Sequence, residues 1–189
     1  MERTTMRVAL LVYDLFEQAE FEGPLAAFHK AGVPTRVISA GRHKKLQAMQ
    51  HNHLGDTFQA DDRIDTVRPN DFNALVLPGG VLNADQLRMV EAARSWVNEF
   101  VDNGRLIAAI CHAPWLLVSA DVVEERRLTS YFTLQDDIRN AGGEWVDRPV
   151  VVDDNLITSR TPGDLPKFNK AILSWLKDSD PVTRTRLVP

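Results

Sequence analysis

The segment Leu106-Ile107-Ala108-Ala109-Ile110-Cys111-His112-Ala113-Pro114 joins an unbroken apolar run to the chain's only cysteine and an adjacent histidine. An ionised thiol is a nucleophile, and an imidazole beside it can carry protons. Two other clusters hold groups that such chemistry would need. Glu17 and Glu20 stand three residues apart, on one face if the segment is helical. Gly79-Gly80 close the apolar run Leu75-Val76-Leu77-Pro78, where glycines let backbone N–H groups turn toward a ligand. Each cluster also has a plainer reading. A lone cysteine beside an apolar strand is commonly an inert core residue, the glutamates can stabilise a helix N-terminus, and Gly-Gly can form a tight turn. Ser119 and Ser130 have no glycine context of the hydrolase kind. His51 and His53, with Asp56 nearby, form a solvated hairpin in preference to a metal site, because no third ligand of clear spacing follows.

The elements that must position these groups alternate between strand and helix. Val8–Tyr13, Thr35–Ser39, Ala74–Leu77, Leu106–Ile110, Val122–Ser130, Glu144–Val152 and Leu156–Ser159 read as strands. Helices are predicted over about Glu20–Lys30, Ala84–Asn103, the segment through Leu134–Arg139, and Leu165–Lys177. Pro24 predicts an irregular first turn in the first of these, and Gly55 a turn between short strands in the polar stretch 41–62. No internal repeat or linker divides the chain. The pattern predicts one α/β domain over residues 6–177, a doubly wound, mostly parallel flavodoxin-like sheet in a three-layer sandwich, with a loose tail over 178–189. A cysteine at the C-terminal end of a central strand lies in the crevice where such sheets bind ligands. There the following helix dipole lowers a thiol pKa.

The 189 residues carry 22 basic and 26 acidic side chains, a net charge of −4, with no basic tract. Nucleic acid is therefore not an expected partner. A single cysteine allows no internal disulfide and no cysteine-based zinc site, which suits a reducing cytoplasm. Met1–Thr5 lead directly into a short strand rather than a signal-peptide core, and no apolar run approaches the ~20 residues needed to span a bilayer.

Several motifs occur together in order: Leu75-Val76-Leu77-Pro78-Gly79-Gly80, Ala109-Ile110-Cys111-His112-Ala113-Pro114, Leu128-Thr129-Ser130-Tyr131, Asn140-Ala141-Gly142, Val150-Val151-Val152-Asp153 and Ile157-Thr158-Ser159-Arg160-Thr161-Pro162. With these the chain closely resembles the ThiJ/PfpI family, in its PfpI-like intracellular protease and stress-protein branch of the glutamine-amidotransferase-like superfamily. The resemblance implies that Cys111 is the nucleophile, Glu20 the glutamate bonded to its sulfur, and His112 the histidine of that branch. Glu17 matches a neighbouring acidic position. Asp85 is the match for an acidic residue that, in the branch, orients the histidine of a neighbouring subunit. Val81-Leu82-Asn83 makes its loop one residue longer than is usual there. Ala113 replaces a common glycine, and Trp115 replaces a common polar residue and is read as packing under the site.

These readings give a cysteine enzyme of the cytoplasm acting without cofactor or metal. Glu20, protonated, donates to the thiolate, and the thiol pKa falls below the free value. N–H groups at Gly79, Gly80 and the start of the cysteine helix at Ala113 form an oxyanion hole, with Tyr131 lining the pocket. The resemblance implies a homodimer or higher oligomer, and as substrate a small 2-oxoaldehyde, a glycation adduct on protein, or a peptide. Glyoxalase, deglycase and peptidase remain open among these. A different class remains open too: a redox sensor or chaperone-like stress protein whose Cys111 is oxidised. A glutaminase is disfavoured because His112 is the last histidine in the chain.

Overall fold

The computed structural model describes residues 6–179. The expected loose tail lies outside the described residues from 180 onward. The chain runs β1 (Val8–Val12), β2 (Phe16–Glu17), α1 (Gln18–Lys30), β3 (Thr35–Ser39), β4 (Lys45–Gln50), β5 (His53–Gln59), β6 (Asp62–Arg63), β7 (Ala74–Leu77), α2 (Val81–Met89) and α3 (Glu91–Asp102). It continues with β8 (Leu106–Ile110), α4 (Pro114–Ser119), β9 (Arg127–Leu128), α5 (Gln135–Asn140), β10 (Glu144–Trp145), β11 (Val150–Asp153), β12 (Leu156–Ser159) and α6 (Leu165–Ser179).

Seven strands form one sheet in the order β11-β12-β8-β7-β1-β3-β6, parallel except for the edge strand β11. The central strands are apolar at every position because both faces are covered. Val8, Leu10, Val12, Ala74, Val76, Leu106, Ala108 and Ile110 face α1 and α6, packing with Phe21, Phe28, Phe168 and Ile172. Ala9, Leu11, Leu75, Leu77, Ile107 and Ala109 face the other layer, with Leu87, Val97, Phe100, Leu116 and Leu117 from α2, α3 and α4. This is the doubly wound α/β sandwich that the alternating elements predict. Strand order reverses beside β1, between β3 on one side and β7 on the other, so ligands are expected at the carboxyl ends of β1 and β7.

Four local expectations are corrected. The long helix over Ala84–Asn103 is two helices, broken at Val90 (φ −79°, ψ 111°), whose carbonyl caps the start of α3. Val122–Ser130 contains only the two-residue β9, because Asp121 (φ 60°) and Glu125 (φ 59°) turn the chain. The segment Glu144–Val152 splits into β10 and β11. Gly55 makes no turn: it lies within β5, where a Cβ would strike the Gln18 carboxamide, and the β4–β5 turn is at His51 (φ 58°). The helix α1 begins at Gln18 and runs through Pro24 to Lys30. Among the described residues no helix is long and apolar enough to cross a membrane.

Candidate active site

The chain leaves β8 through Cys111 in the left-handed conformation, φ 62°. Backbone bonds on both sides hold this strained turn: Cys111 N–H donates to Ser159 O (3.0 Å), and Tyr131 N–H donates to Cys111 O (2.8 Å). Such a conformation costs a non-glycine residue on the order of 1 kcal/mol and persists only where its surroundings fix it. The turn has a direct chemical result. Neighbouring residues in a helix point apart, whereas here Cys111 Sγ lies 3.2 Å from Nδ1 of His112.

Glu20 reaches the same sulfur from the first turn of α1 and is wholly buried. Its Oε2 accepts the Gly79 N–H at 2.9 Å. Its Oε1 is buried without a hydrogen-bond partner, and the carboxyl lies close enough to the Cys111 thiol for each to shift the other's pKa. Burial, aided by the nearby Glu17 charge, raises the Glu20 pKa to about 8, so the carboxyl is neutral at pH 7. Burial also pushes the Cys111 thiol up, and ionised Glu20 would push it further; the backbone N–H groups of Gly80 and His112, directed at the sulfur, pull it down. The lowered thiol pKa expected from the sequence is therefore not what this pocket imposes on the thiol by itself. The helix α4 has only six residues, so its dipole adds little.

His112 is nearly buried, and burial lowers its pKa, favouring the neutral ring. Tyr131 stacks on it (centroids 4.6 Å), Trp115 meets it edge-on (5.6 Å), and Thr133 Oγ1 lies 3.5 Å from Nε2. Trp115 packs beneath the site, its Nε1–H donating to Asp137 at 3.0 Å and its ring covered by Arg88.

Around the sulfur lies a cleft of about 330 Å³. Cys111, His112, Glu20, Glu17, Gly80 and Tyr131 all line it. Three expected members do not. Gly79 stands behind the wall, its N–H taken by Glu20, in a space where a Cβ would lie 2.5 Å from Glu20 Oε2 and 2.6 Å from the Cys111 Cβ. Ala113 is core, and its N–H is taken by Ile110 O. Asp85 is exposed on α2 and is not among the residues that line the cleft.

The sequence reading missed the outer wall. His51, assigned to a solvated hairpin, does sit at the β4–β5 turn, but that turn folds over the cleft. Its N–H donates to Glu17 Oε2 at 3.0 Å, and its ring Nδ1 is 3.9 Å from Oε1. Gln18 pins the hairpin from below, accepting Asp56 N–H (2.9 Å) and donating to Asp56 Oδ2 (2.8 Å). Asn83, fully buried, ties Tyr13 N–H to the carbonyls of Pro78 and Gly79. Only the adjacent glutamates hinted at this wall; contacts 30 or more residues apart leave no local pattern.

Residues 6–175 match the DJ-1/PfpI family. The chain is 41% identical over 171 residues to protein/nucleic acid deglycase 2 of Escherichia coli, covering 90% of this chain and 97% of that protein. It is 37% identical to deglycase PfpI of Pyrococcus furiosus, covering 91% and 100%. Among solved structures, a two-domain protein of Anabaena variabilis with DJ-1/ThiJ/PfpI-like and ferritin-like domains superposes with a TM-score of 0.84 at 35% identity. That match covers 90% of this chain and 49% of the other.

Proposed function

This chain belongs to the DJ-1/PfpI family, and on that premise we propose that it is a cysteine-dependent enzyme acting on carbonyl-derived adducts, as a deglycase does. One observation carries the reading: a cleft whose floor is a sulfur flanked by a carboxyl that is neutral at pH 7 and by an imidazole nitrogen 3.2 Å away. The cleft of about 330 Å³ suits a small molecule or one modified side chain, and is too small for a stretch of peptide.

The proton inventory supports this chemistry. Glu20 and Cys111 form one coupled pair, and the first proton leaves it near pH 8. In the resulting monoanion a neutral Glu20 donating to a thiolate is the reactive arrangement, because it removes the repulsion that ionised Glu20 would exert. The carbinol oxygen of the adduct expels the nitrogen as the C–N bond breaks, and the thiolate adds to the carbonyl carbon so formed, a C–S bond forming while the carbonyl pair returns to oxygen. The N–H groups of Gly80 and His112 stabilise that oxygen, in place of the expected pair at Gly79 and Ala113. Neutral His112, with its proton on Nε2 toward Thr133, offers Nδ1 as acceptor and returns the proton to the departing group. A proton moves from the sulfur-bearing carbon to its neighbour through an enediol, leaving a thioester; water adds to the thioester carbonyl, the C–S bond breaks, and a 2-hydroxy acid leaves as the thiol is restored.

A second copy of the chain belongs to the proposal. Asp85 is exposed on α2 beside exposed Val81, Leu82 and Met89, a surface through which it would reach His112 of a neighbouring molecule. Cytoplasmic residence is part of the same reading.

The test is turnover of a methylglyoxal-modified N-acetylated amino acid by wild type and Cys111→Ser, with the oxidation state of Cys111 followed by mass spectrometry. Turnover that vanishes in Cys111→Ser is the expected result. A wild type that turns over no adduct but accumulates Cys111 sulfinic acid would replace the enzyme with a redox sensor.

A further inference from the structure

The side chain of Glu17 does something that its position at the start of α1 does not require. It is the N-cap residue of that helix, yet its carboxylate makes no cap hydrogen bond. It turns instead toward the hairpin and the cleft, with its side chain only 12% exposed. One oxygen accepts the His51 N–H, and the other has only the His51 ring, at 3.9 Å. A carboxylate offers about four lone-pair sites, so most of its acceptor capacity faces the opening.

No opposite charge balances it there. Among the described residues that line the cleft there is no lysine or arginine; its titratable members are Glu17, Glu20, His51, Cys111, His112 and Tyr131. Arg160, next in sequence to lining residue Thr161, is engaged by both Asp147 and Asp164. With Glu20 neutral, Glu17 is the carboxylate that faces the cleft, against walls of Leu15, Met49, Val81, Leu82 and Pro162. Low-dielectric walls focus such a field on whatever enters.

We propose that Glu17 is a specificity-determining residue that binds a cationic nitrogen, selecting guanidinium- or ammonium-bearing adducts over neutral or anionic carbonyl compounds. This rests on the reading of Cys111 as the nucleophile of a carbonyl-adduct enzyme. The adduct of an oxoaldehyde with an arginine side chain keeps its guanidinium charge one bond from the carbon to be attacked. A cation held at Glu17 therefore presents that carbon to the sulfur across the same cleft.

The experiment reads the field without turnover. Cys111 is modified with a pair of methanethiosulfonates, one bearing a trimethylammonium and one a sulfonate, at low salt and about pH 7.5, above the ordinary imidazole range. Rates are divided by those of a simple thiol with each reagent. The cationic reagent should react about tenfold faster than the anionic one, a nearby fixed negative charge speeding the first and slowing the second by about threefold each. The preference should fade at high salt and collapse in Glu17→Gln. His51→Lys, which leaves Glu17 in position and sets a fixed cation beside it, should collapse it as well. Equal rates in the wild type, or a preference unchanged in Glu17→Gln, would overturn the proposal. Cys111-dependent turnover with equal rates sinks only the charge selectivity, and a tenfold preference without turnover sinks only the enzyme reading.

Discussion

At the reacting atom, the question is which partner of the Glu20–Cys111 pair keeps the proton once the first has left. The proposed arrangement needs a donor at position 20 and no charge there. Glu20→Gln retains a donor, so its Cys111 should still be alkylated at neutral pH. Glu20→Leu leaves the thiolate buried without that bond and should slow alkylation by roughly tenfold or more, since a hydrogen bond to a charged group is worth about 2 kcal/mol. Stopped-flow alkylation across pH checks this, and equal slowing in both variants would deny Glu20 the donor role. Behind the sulfur, Gly79 admits no side chain: a Cβ would lie 2.5 Å from Glu20 Oε2, 2.6 Å from Cys111 Cβ and 2.7 Å from Ile110 O. Gly79→Ala is therefore expected to destabilise the fold by about 3 kcal/mol, measurable by denaturant titration, and to displace Glu20 from the sulfur.

Among the elements, the β4–β5 hairpin depends on one helix residue. Buried Gln18 satisfies the Asp56 N–H and the Gln50 carboxamide and donates to Asp56 and Glu22. Gln18→Ala removes these bonds together. It should cost about 2 kcal/mol and raise hydrogen exchange across His53–Gln59 well before exchange in β1 or β8 changes. Uniform acceleration over the whole sheet would mean that the hairpin is not a separately anchored wall.

For the molecule as a whole, Glu20 ties stability to pH. Its folded pKa of about 8 lies above its ordinary 4.5, so the folded state keeps a proton that the unfolded chain has released. The stability from this group is fully present below about pH 4.5 and is lost as pH rises to about 8. Thermal melts should show wild type losing stability relative to Glu20→Gln across that window, by an amount on the order of a few kcal/mol. Parallel curves would mean that Glu20 does not titrate there. His112 works in the opposite sense: burial lowers its pKa, so its stability is present above the ordinary imidazole value and lost as pH falls through the lowered one. The comparison with Glu20→Gln cancels this contribution.

The sequence alone determined the sheet and the strand end at which the cysteine stands. Runs such as Ala74–Leu77 and Leu106–Ile110 are apolar at every position, which only a strand covered on both faces requires, and the run ending at Cys111 marks the carboxyl edge where such folds bind ligands. It did not determine the break at Val90, which carries no glycine or proline, nor the short strands around residues 122–152, whose pairing is fixed by partners distant in the chain. Nor did it decide which N–H groups are free to face a substrate. Gly79 and Ala113 look like donors in the motif, but Glu20 and Ile110 O occupy them, and the N–H groups directed at the sulfur are those of Gly80 and His112. The charge at the cleft mouth was likewise hidden, because Glu17 and His51 meet across 34 residues. Periodicity reports which face of an element is buried; hydrogen-bond occupancy and fields depend on distances between elements, which tertiary packing alone sets.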